Sequence, residues 1–392
     1  MPKNNKLINY GKQSIDDYDI EAVIRTLKSD FITQGPKVPL FEDAIKNYCG
    51  VKYGFAVNSA TSALHISCLA LGLGPGDILW TSANTFVSSS NCAILVGAKV
   101  DFIDIDKNTL NMSTSCLEEK LILAKKKNCL PKIVVPVHFA GQSCDMKKIF
   151  QLSKKYGFRI IEDASHAIGG NYKNLPVGSC QYSDICIFSF HPVKIITTGE
   201  GGIAVTKSKL IANKLQRFRS HGIHSIKKNM RKRSSDEIWN YQQVSIGLNY
   251  RMTDIAASLG LSQMKKLDAF VDKRRKIANF YTTRLKNLPI RTQYEIADSK
   301  STFHLYVIRL DLKNKKLFQK TVYDKLTKLG VLVNIHYIPV YRQPFYEDMG
   351  FRAGYCPEAE SYFKEALSIP IYPDMTKDDL IYVSDSIEKV LN

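Results

Sequence analysis

Short apolar runs alternate with helical patterns along roughly the first 250 residues of the chain. The apolar runs predict strands at 54–57, 78–82, 100–105, 133–138, 159–162, 184–190 and 203–206. The segments between them predict helices at 61–73, 86–96, 115–126 and 146–156. Buried apolar strands separated by helices are typical of a mostly parallel sheet covered on both faces, so the pattern predicts an α/β fold.

The pattern changes after Arg251. Residues 253–288 form a long, nearly uninterrupted helical pattern with many Lys and Arg between the apolar positions. Further elements are predicted as a strand at 303–309, a helix at 317–329, a strand at 331–335 and a helix at 377–391, with an early helix at 16–28. We therefore expect a large α/β domain at residues 1–252 and a smaller α+β domain at 253–392, joined through the long helix.

The composition is that of a folded protein. The chain has 392 residues, 44% hydrophobic and 23% charged, close to globular averages of roughly 45–50% and about 25%. Disordered, collagen-like and low-complexity classes are therefore excluded. The polar N-terminus has no apolar signal core, and no run approaches the ~18 apolar residues of a membrane span.

The cysteines indicate a reducing compartment. Their number, nine, is odd, no pair forms a Cys-x-x-Cys motif, and several lie in apolar runs. This usage is typical of reduced, buried thiols and not of a disulfide framework or a zinc site. We therefore expect a soluble, cytoplasmic protein with no metal site and no membrane partner.

The charge balance is basic. Lys and Arg number 55 against 37 Asp and Glu, a formal net charge of +18. Such a balance favours an acidic partner (nucleic acid, anionic lipid or a phosphorylated small molecule), unless the lysines simply cover solvated faces. The densest basic stretch, 227–233, has no interleaved aromatic residues and is predicted to be a loop. We therefore expect no nucleic-acid partner.

The clearest chemical signal lies at predicted strand ends, where ligands bind in open α/β sheets. Asp163 ends one strand, Ser189 and His191 end another, and Lys194 follows. A lysine with apolar flanks has a lowered pKa and can bond covalently to a carbonyl group. An aspartate in the same cleft suits a cofactor with a basic ring nitrogen, such as pyridoxal phosphate. The alternative, an ordinary loop lysine and a helix-capping aspartate, stays open on spacing alone.

A second signal is a strand, a turn of small residues and a helix start around Thr61 and Ser62. Backbone N–H groups there can bind a phosphate, although a plain helix cap is the commoner use of Ser and Thr. His221 and His224 have no partners at metal-ligand spacing. The segment 336–342 could line a pocket or lie at a domain seam. Judged alone, Phe86 is more typical of a core residue.

Several ordered motifs carry a family resemblance. They are Ile32-Thr-Gln-Gly-Pro36, Asn58-Ser-Ala-Thr-Ser-Ala-Leu64, Glu162-Asp-Ala-Ser-His-Ala167, Phe188-Ser-Phe-His-Pro-Val-Lys194, Thr197-Thr-Gly-Glu-Gly-Gly202, Arg219-Ser-His-Gly222, Leu248-Asn-Tyr-Arg-Met252 and His336-Tyr-Ile-Pro339. Together they resemble the DegT-type sugar-nucleotide aminotransferases, which are fold-type I pyridoxal phosphate enzymes. The resemblance runs from about Gln13 to the C-terminus. It implies a mostly parallel, seven-stranded central sheet flanked by helices, with a smaller C-terminal domain.

The resemblance also implies roles at a cofactor site. Lys194 matches the lysine that bonds to pyridoxal 5′-phosphate, and Asp163 matches the acid that pairs with the ring nitrogen. His166 stands near the ring hydroxyl, where many relatives carry Gln. The remaining implied contacts are Phe86 on the ring face and a phosphate cup of Ala60, Thr61, Ser189 and, from the partner subunit, Asn249. Members of the family are homodimers with shared active sites.

The implied reaction moves an amino group from L-glutamate to C4 of a 4-keto sugar carried on a nucleotide diphosphate. The relatives that dehydrate sugars carry histidine in place of Lys194, so that branch is disfavoured. The motifs look most similar to the pseudaminic acid branch, whose substrate is a UDP-linked 4-keto sugar. The substrate pocket is expected to include Thr33, Arg251, His336, Tyr337 and Tyr341. Enzymes for other UDP-, GDP- or dTDP-linked 4-keto sugars are alternatives, as is a protein of this fold without turnover.

Overall fold

The computed structural model describes residues 7–224, 230–232, 236, 238, 241–312 and 318–392. Most of the basic stretch 227–233 lies outside these ranges. The helices are α1 (Asp17–Leu27), α2 (Lys37–Cys49), α3 (Ala60–Ala70), α4 (Ser88–Ile94), α5 (Thr114–Lys126), α6 (Met146–Tyr156), α7 (Lys209–Arg219), α8 (Asp254–Met264), α9 (Leu267–Arg284), α10 (Gln319–Lys328), α11 (Pro344–Asp348), α12 (Pro357–Glu365) and α13 (Lys377–Leu391).

The strands are β1 (Tyr53–Val57), β2 (Ile78–Ser82), β3 (Lys99–Ile103), β4 (Ile133–Val135), β5 (Arg159–Asp163), β6 (Asn171–Tyr172), β7 (Leu175–Pro176), β8 (Ile185–Ser189), β9 (Gly202–Thr206), β10 (Ile223–His224), β11 (Gln242–Gln243), β12 (Ile290–Thr292), β13 (Ser299–Lys300), β14 (Tyr306–Leu310) and β15 (Ala366–Ile369).

Seven strands form the central sheet, in the order β1-β9-β8-β5-β4-β2-β3. Strand β9 runs antiparallel to both of its neighbours, and the other pairs are parallel. Strands β8 and β9 are buried along their whole length, as expected for a sheet covered on both faces. The predicted fold class, a mostly parallel seven-stranded sheet flanked by helices, is confirmed.

Side chains of the sheet alternate between two cores, because successive residues of a strand point to opposite faces. On β9, Ala204 packs in the core that includes residues of α3, α4 and α7. Its neighbours Ile203 and Val205 pack in the core that includes residues of α2 and α8. Near the other edge of the sheet, α5 and α6 cover Trp80, Val134 and Ile160. Helices therefore cover both faces of the sheet, and the ends of the strands remain accessible for a ligand-binding site.

The prediction of one long helix at 253–288 is wrong, because the structure has two helices, α8 and α9, with a break at Lys265 and Lys266. Lysine is a good helix former, so the sequence carries no stop signal there. The Lys266 ammonium group pairs with Asp16 at 2.9 Å and with Asp19 at 2.5 Å, at the start of α1. Tertiary ion pairing thus accompanies the break, which sequence periodicity cannot show.

The C-terminal part has its own sheet, β12-β14-β15, and a separate core that includes residues of α10 and α13. Helix α9 contributes Phe270 to the core under α2 and Tyr281 to this C-terminal core. The strand predicted at 331–335 is wrong, because only isolated bridges occur there, from Val331 to Ile8 and from Asn334 to Ser368. Both edges of β14 are already taken by β12 and β15.

The division at residues 252 and 253 stays a prediction. Helix α8 follows that point in the sequence and packs against α1 and α2. Tyr346 and Tyr362 also pack in the core beneath α3. No helix in the described ranges combines the length and the hydropathy needed to cross a membrane.

Candidate active site

A cavity of about 900 Å³ opens beside the carboxyl ends of β5 and β8 and the first turn of α3. The predicted site residues that line it are Ala60, Thr61, Phe86, Asp163, His166, Ser189, Lys194, His336 and Tyr337. In the parallel pairing of β5 and β8, Asp163 lies opposite Ile187, two residues before Ser189. The strand ends therefore bring the carboxylate and the serine to the same edge, as the sequence predicted.

Lys194 lies in the loop after β8 and is half-buried. Burial lowers the pKa of its ammonium group to about 8, although the Asp163 carboxylate acts in the opposite direction. A larger fraction of the side chain is therefore a neutral amine near neutral pH than for an ordinary lysine. A neutral amine can attack a carbonyl carbon or accept a proton.

Asp163 is buried at the end of β5, with 4% of its surface exposed. Its Oδ1 accepts hydrogen bonds from the backbone N–H and the hydroxyl of Ser165, at 3.1 and 2.6 Å. Its Oδ2 accepts a hydrogen bond from the Ser89 hydroxyl on α4, at 2.6 Å. These donors fix the orientation of the carboxylate at the wall of the cavity. Sequence reasoning did not find Ser89, because 74 residues separate it from Asp163 and a serine in a helix is no signal by itself.

His166 is buried beside Asp163. Its hydrogen bonds indicate which of its two ring nitrogens carries the proton. The backbone N–H of Ala140 donates to Nδ1 at 3.3 Å, so Nδ1 is the acceptor of the ring. Burial and the positive charge of Lys194 place the pKa of His166 well below its ordinary value. The neutral ring then carries its proton on Nε2, which lies 3.3 Å from the Tyr337 hydroxyl. His166 can therefore donate a hydrogen bond into the cavity.

The first turn of α3 forms the anion-binding part of the cavity. Ser59 caps the helix by accepting from the backbone N–H of Ser62 at 3.1 Å. Ala60 and Thr61 line the cavity at this end of the helix, where the dipole favours negative charge. A Cβ at Gly202 would lie 2.5 Å from the backbone nitrogen of Ala60. Only glycine lets β9 approach this helix end so closely.

Aromatic and imidazole rings form the rest of the lining. Phe86 is 56% exposed, so it is not the core residue that its sequence context favours. Its ring centroid lies 6.3 Å from that of Tyr337. The His336 Nδ1 is 2.8 Å from the Ser368 hydroxyl, and burial lowers the pKa of His336 to about 3. These rings offer apolar faces and neutral hydrogen-bonding groups. Within the described ranges, no three His, Cys, Asp or Glu side chains are grouped as metal ligands are.

The structure does not bring the other predicted residues to this cavity. Tyr341 is fully buried in a core, where its hydroxyl donates to Glu360 at 2.5 Å. The expectation that it lines the substrate pocket is therefore not met: an aromatic residue among polar ones resembled a pocket lining but fills the core instead.

Three further predicted residues, Thr33, Asn249 and Arg251, form backbone bridges to Thr253, Ser220 and Val57, respectively. Thr33 and Asn249 are exposed, and the Arg251 guanidinium donates to the Ser220 hydroxyl at 3.0 Å. None of the three is among the residues that line the cavity of the same chain. Their roles at the cofactor phosphate and the sugar nucleotide stay predictions.

Known proteins share this chain's sequence and fold. Residues 13–388 match the DegT/DnrJ/EryC1/StrS aminotransferase family. A Campylobacter jejuni protein named UDP-4-amino-4,6-dideoxy-N-acetyl-beta-L-altrosamine transaminase is 39% identical over 386 residues, which cover 98% of each chain.

Two solved structures are also similar. Helicobacter pylori PseC, described as an aminotransferase involved in the biosynthesis of pseudoaminic acid, matches with a TM-score of 0.89 at 31% identity, over 98% of this chain and 99% of that one. The PLP-form of Spr1654 from Streptococcus pneumoniae matches with a TM-score of 0.86 at 28% identity, over 99% of this chain and 100% of that one. The resemblance carried by the sequence motifs is thereby confirmed: the chain belongs to the DegT/DnrJ/EryC1/StrS aminotransferase family and is a sugar aminotransferase.

Proposed function

We propose that this sugar aminotransferase uses pyridoxal 5′-phosphate to move an amino group from L-glutamate to C4 of a UDP-linked 4-keto-6-deoxy-N-acetylhexosamine. One observation carries the cofactor part of the proposal. A lysine of lowered pKa, a fixed carboxylate and an open helix N-terminus all face the same cavity. These three groups match the carbonyl, the ring nitrogen and the phosphate of the cofactor.

The residues present fit the cofactor. Lys194 would bond to its carbonyl carbon, and Asp163 would hold its ring nitrogen. The backbone N–H groups of Ala60 and Thr61 and the Ser189 hydroxyl would bind its phosphate, at the helix end against which Gly202 packs closely. Two further contacts would come from His166 Nε2–H to the ring hydroxyl and from Phe86 on the ring face. When bound, the cofactor withdraws electrons and so stabilises negative charge on the carbon that loses a proton.

Lys194 moves the proton in both halves of the exchange. Its neutral amine would accept the proton from the α-carbon of glutamate, and the resulting ammonium group would deliver that proton to the former carbonyl carbon of the cofactor. In the second half, Lys194 would move a proton in the opposite direction, from that carbon to C4 of the sugar, which keeps the amino group. Asp163 would keep the ring nitrogen protonated through its negative charge, and its two serine partners prevent it from turning away.

The substrate part of the proposal rests on three supports. The relatives include a transaminase whose name contains a UDP-linked 4-amino sugar. The cavity lining of His336 and Tyr337 offers neutral hydrogen-bonding groups, which suit an uncharged sugar ring. The net charge of +18 gives the two phosphates of a nucleotide sugar a favourable field.

The proposal also includes a homodimer with shared sites. Asn249 and Thr33 are exposed and are not among the residues that line the cavity of their own chain. We expect them, with Arg251, to complete the cavity of a second copy, with Asn249 at the cofactor phosphate and the other two at the sugar nucleotide.

The first test is an absorbance spectrum of the purified protein with pyridoxal phosphate, before and after the addition of L-glutamate. We expect a visible band that glutamate converts to a near-ultraviolet band. A protein that binds the cofactor but does not respond to any amino donor would be a binding protein without turnover. The second test compares turnover on UDP-, GDP- and dTDP-linked 4-keto sugars, and the substrate assignment fails if the UDP sugar is the poorest.

Shared sites are tested by mixing two inactive variants, Lys194→Ala and Asn249→Ala. A mixed dimer has one cavity with both an intact lysine and an intact Asn249 from its neighbour. Random mixing at equal amounts should therefore restore about one quarter of wild-type activity, because half of the dimers are mixed and one of their two sites is intact. If the mixture stays as inactive as its components, Asn249 does not serve a partner's site.

A further inference from the structure

Residues 302–305, which we call the strap, connect the C-terminal part of the chain to the cavity. The backbone N–H of Thr302 donates to the carbonyl of Gly141 at 3.1 Å, and that of Leu305 donates to Ala140 at 3.4 Å. The Thr302 hydroxyl donates to the carbonyl of His166 at 2.7 Å. Gly141 has φ +102°, and a Cβ there would lie 2.2 Å from the Thr302 hydroxyl oxygen. The strap therefore lies directly against the backbone around His166.

Arg274 holds the strap from the other side. Its side chain is fully buried, and Nη1 lies within hydrogen-bonding distance of the carbonyls of Phe303, His304 and Ile371, at 3.3, 3.2 and 3.0 Å. Burial lowers the pKa of Arg274 to about 9. The arginine thus joins α9, the strap and the segment before α13 at a single point.

The ring of His304 extends from the strap toward the cavity. Its centroid lies 4.3 Å from that of His166, with the planes tilted by 44°. His304 is 4% exposed and lines the cavity. Its Nδ1 is buried and forms no hydrogen bond with the described residues.

The His304 ring is neutral in this environment. Burial places the pKa of His304 well below its ordinary value, and the positive charges of Lys194 and Arg274 and the nearby His166 and His336 act in the same direction. A neutral ring can pack on the imidazole of His166 without repelling it.

We propose that His304 is a positioning residue of the cofactor site, whose ring, fastened by the strap and Arg274, holds the His166 imidazole with its Nε2–H directed into the cavity. The Ala140 N–H fixes the Nδ1 of His166, and His304 packs against the ring itself. The Nε2–H, which lies 3.3 Å from the Tyr337 hydroxyl, would turn to the ring hydroxyl of the cofactor when the cofactor is bound. The proposal rests on the proposed function, because it assumes that His166 donates to the ring hydroxyl of pyridoxal phosphate.

The consequence is a shift in a proton equilibrium of the bound cofactor. A hydrogen bond to the ring oxygen offsets the negative charge of that oxygen. When this hydrogen bond weakens, the ring oxygen becomes more negative and holds more strongly the proton that it shares with the Lys194 nitrogen. The pKa of that shared proton therefore rises. The pH midpoint between the visible band of the protonated form and the near-ultraviolet band of the deprotonated form therefore reports on how well His166 is held.

The experiment titrates this midpoint in the wild type, His304→Ala, His304→Gln and His304→Phe. We expect the midpoint to rise by about one pH unit, a tenfold change in the proton equilibrium, in the Ala and Gln variants, which have no ring. His304→Phe retains a ring that packs on His166 and should stay within about 0.3 units of the wild type, a twofold change on the same scale. The control is His65→Ala, which removes a half-buried histidine ring that packs against Tyr250 and should leave the midpoint unchanged.

The outcomes separate the two proposals. If the wild type forms no visible band, the cofactor assignment itself fails. If the wild-type band titrates and neither His304→Ala nor His304→Gln shifts its midpoint, His304 does not position His166. A Phe variant that shifts as far as the Ala variant also overturns the proposal, because packing of the ring would not be the cause. If His304→Ala does not fold, the Gln and Phe variants decide by the same criterion.

Discussion

The cavity has two walls of different chemistry. The sheet wall consists of residues that end a strand, follow one or begin a helix: Ala60, Thr61, Asp163, Ser189 and Lys194. The C-terminal wall consists of His304, His336 and Tyr337, which lie in loops of the second half of the chain. The sheet wall carries the charged groups and the helix dipole, whereas burial keeps the rings of the other wall neutral.

This difference separates the tasks of the site. Charge is needed where a phosphate is bound and a proton is moved. A sugar ring needs hydrogen bonds without a fixed charge, which the neutral rings provide. His166 belongs to the sheet wall by sequence but is held by Tyr337 and by the His304 ring from the opposite wall. Changes in the sheet wall should therefore affect turnover strongly, and changes outside it should affect binding or stability.

The largest effect is expected for Lys194→Ala. Removing the amine removes both the bond to the cofactor and the proton carrier, so kcat/KM should fall by at least about 10⁴-fold. Steady-state kinetics with a 4-keto sugar nucleotide measure the loss. Lys194→Arg keeps the positive charge but not a neutral amine, and it should be equally inactive. A variant that retained a tenth of the activity would show that another residue moves the proton.

A smaller loss is expected for Asp163→Asn. The amide keeps the shape but cannot balance a protonated ring nitrogen, so kcat should fall by about 100-fold, the upper range for a hydrogen bond between charged groups. Ser89→Ala is the matched control: it removes one donor to the same carboxylate and should cost less than about tenfold. Equal losses in the two variants would contradict the idea that the charge of Asp163 is what matters.

The pH dependence of cofactor capture tests the sheet wall without mutation. Burial lowers the pKa of Lys194 to about 8, and only the neutral amine attacks the carbonyl carbon. The capture rate of pyridoxal phosphate by cofactor-free protein should therefore rise about tenfold per pH unit below that value and level off above it. Stopped-flow absorbance gives the profile, and a midpoint near the ordinary lysine value would show that the cavity does not desolvate Lys194.

Gly202→Ala should weaken cofactor binding. The new Cβ would lie 2.5 Å from the Ala60 nitrogen, and forcing the two apart costs about 1–3 kcal/mol. We expect the Kd for pyridoxal phosphate to rise by about tenfold, which corresponds to about 1.4 kcal/mol. Gly74→Ala is the control, since its Cβ would have no neighbour closer than 4.0 Å. An unchanged Kd in Gly202→Ala would argue against the phosphate cup at α3.

The smallest kinetic effect is expected for Tyr341→Phe, which lies outside both walls. The variant loses the hydrogen bond to Glu360, so the free energy of unfolding should fall by about 1 kcal/mol while KM and kcat stay unchanged. Thermal unfolding and steady-state kinetics together provide the check. A rise in KM for the sugar nucleotide would instead show that Tyr341 contributes to the substrate pocket.

The sequence predicted the sheet well because its strands are apolar on both faces. The prediction of a helix at 146–156 agrees with α6, and the sheet strands at 54–57, 159–162 and 203–206 differ from the structure by one residue at an end. Asp163 and Lys194 were found because strand ends and loops mark where a ligand lies in such sheets. The site residues missed, Ser89 and His304, come from distant segments and carry no local signal.

Local sequence, then, determined the periodicities, the caps and the motifs from which the α/β fold, the family and the lysine–aspartate pair follow. It did so because burial pattern and motif chemistry act over a few neighbouring residues. The tertiary structure alone decided where a helical pattern breaks, at Lys266 beside Asp16 and Asp19, and that Tyr341 is core. It alone brought His304 onto His166, because contacts between residues 138 positions apart depend on how the whole chain packs.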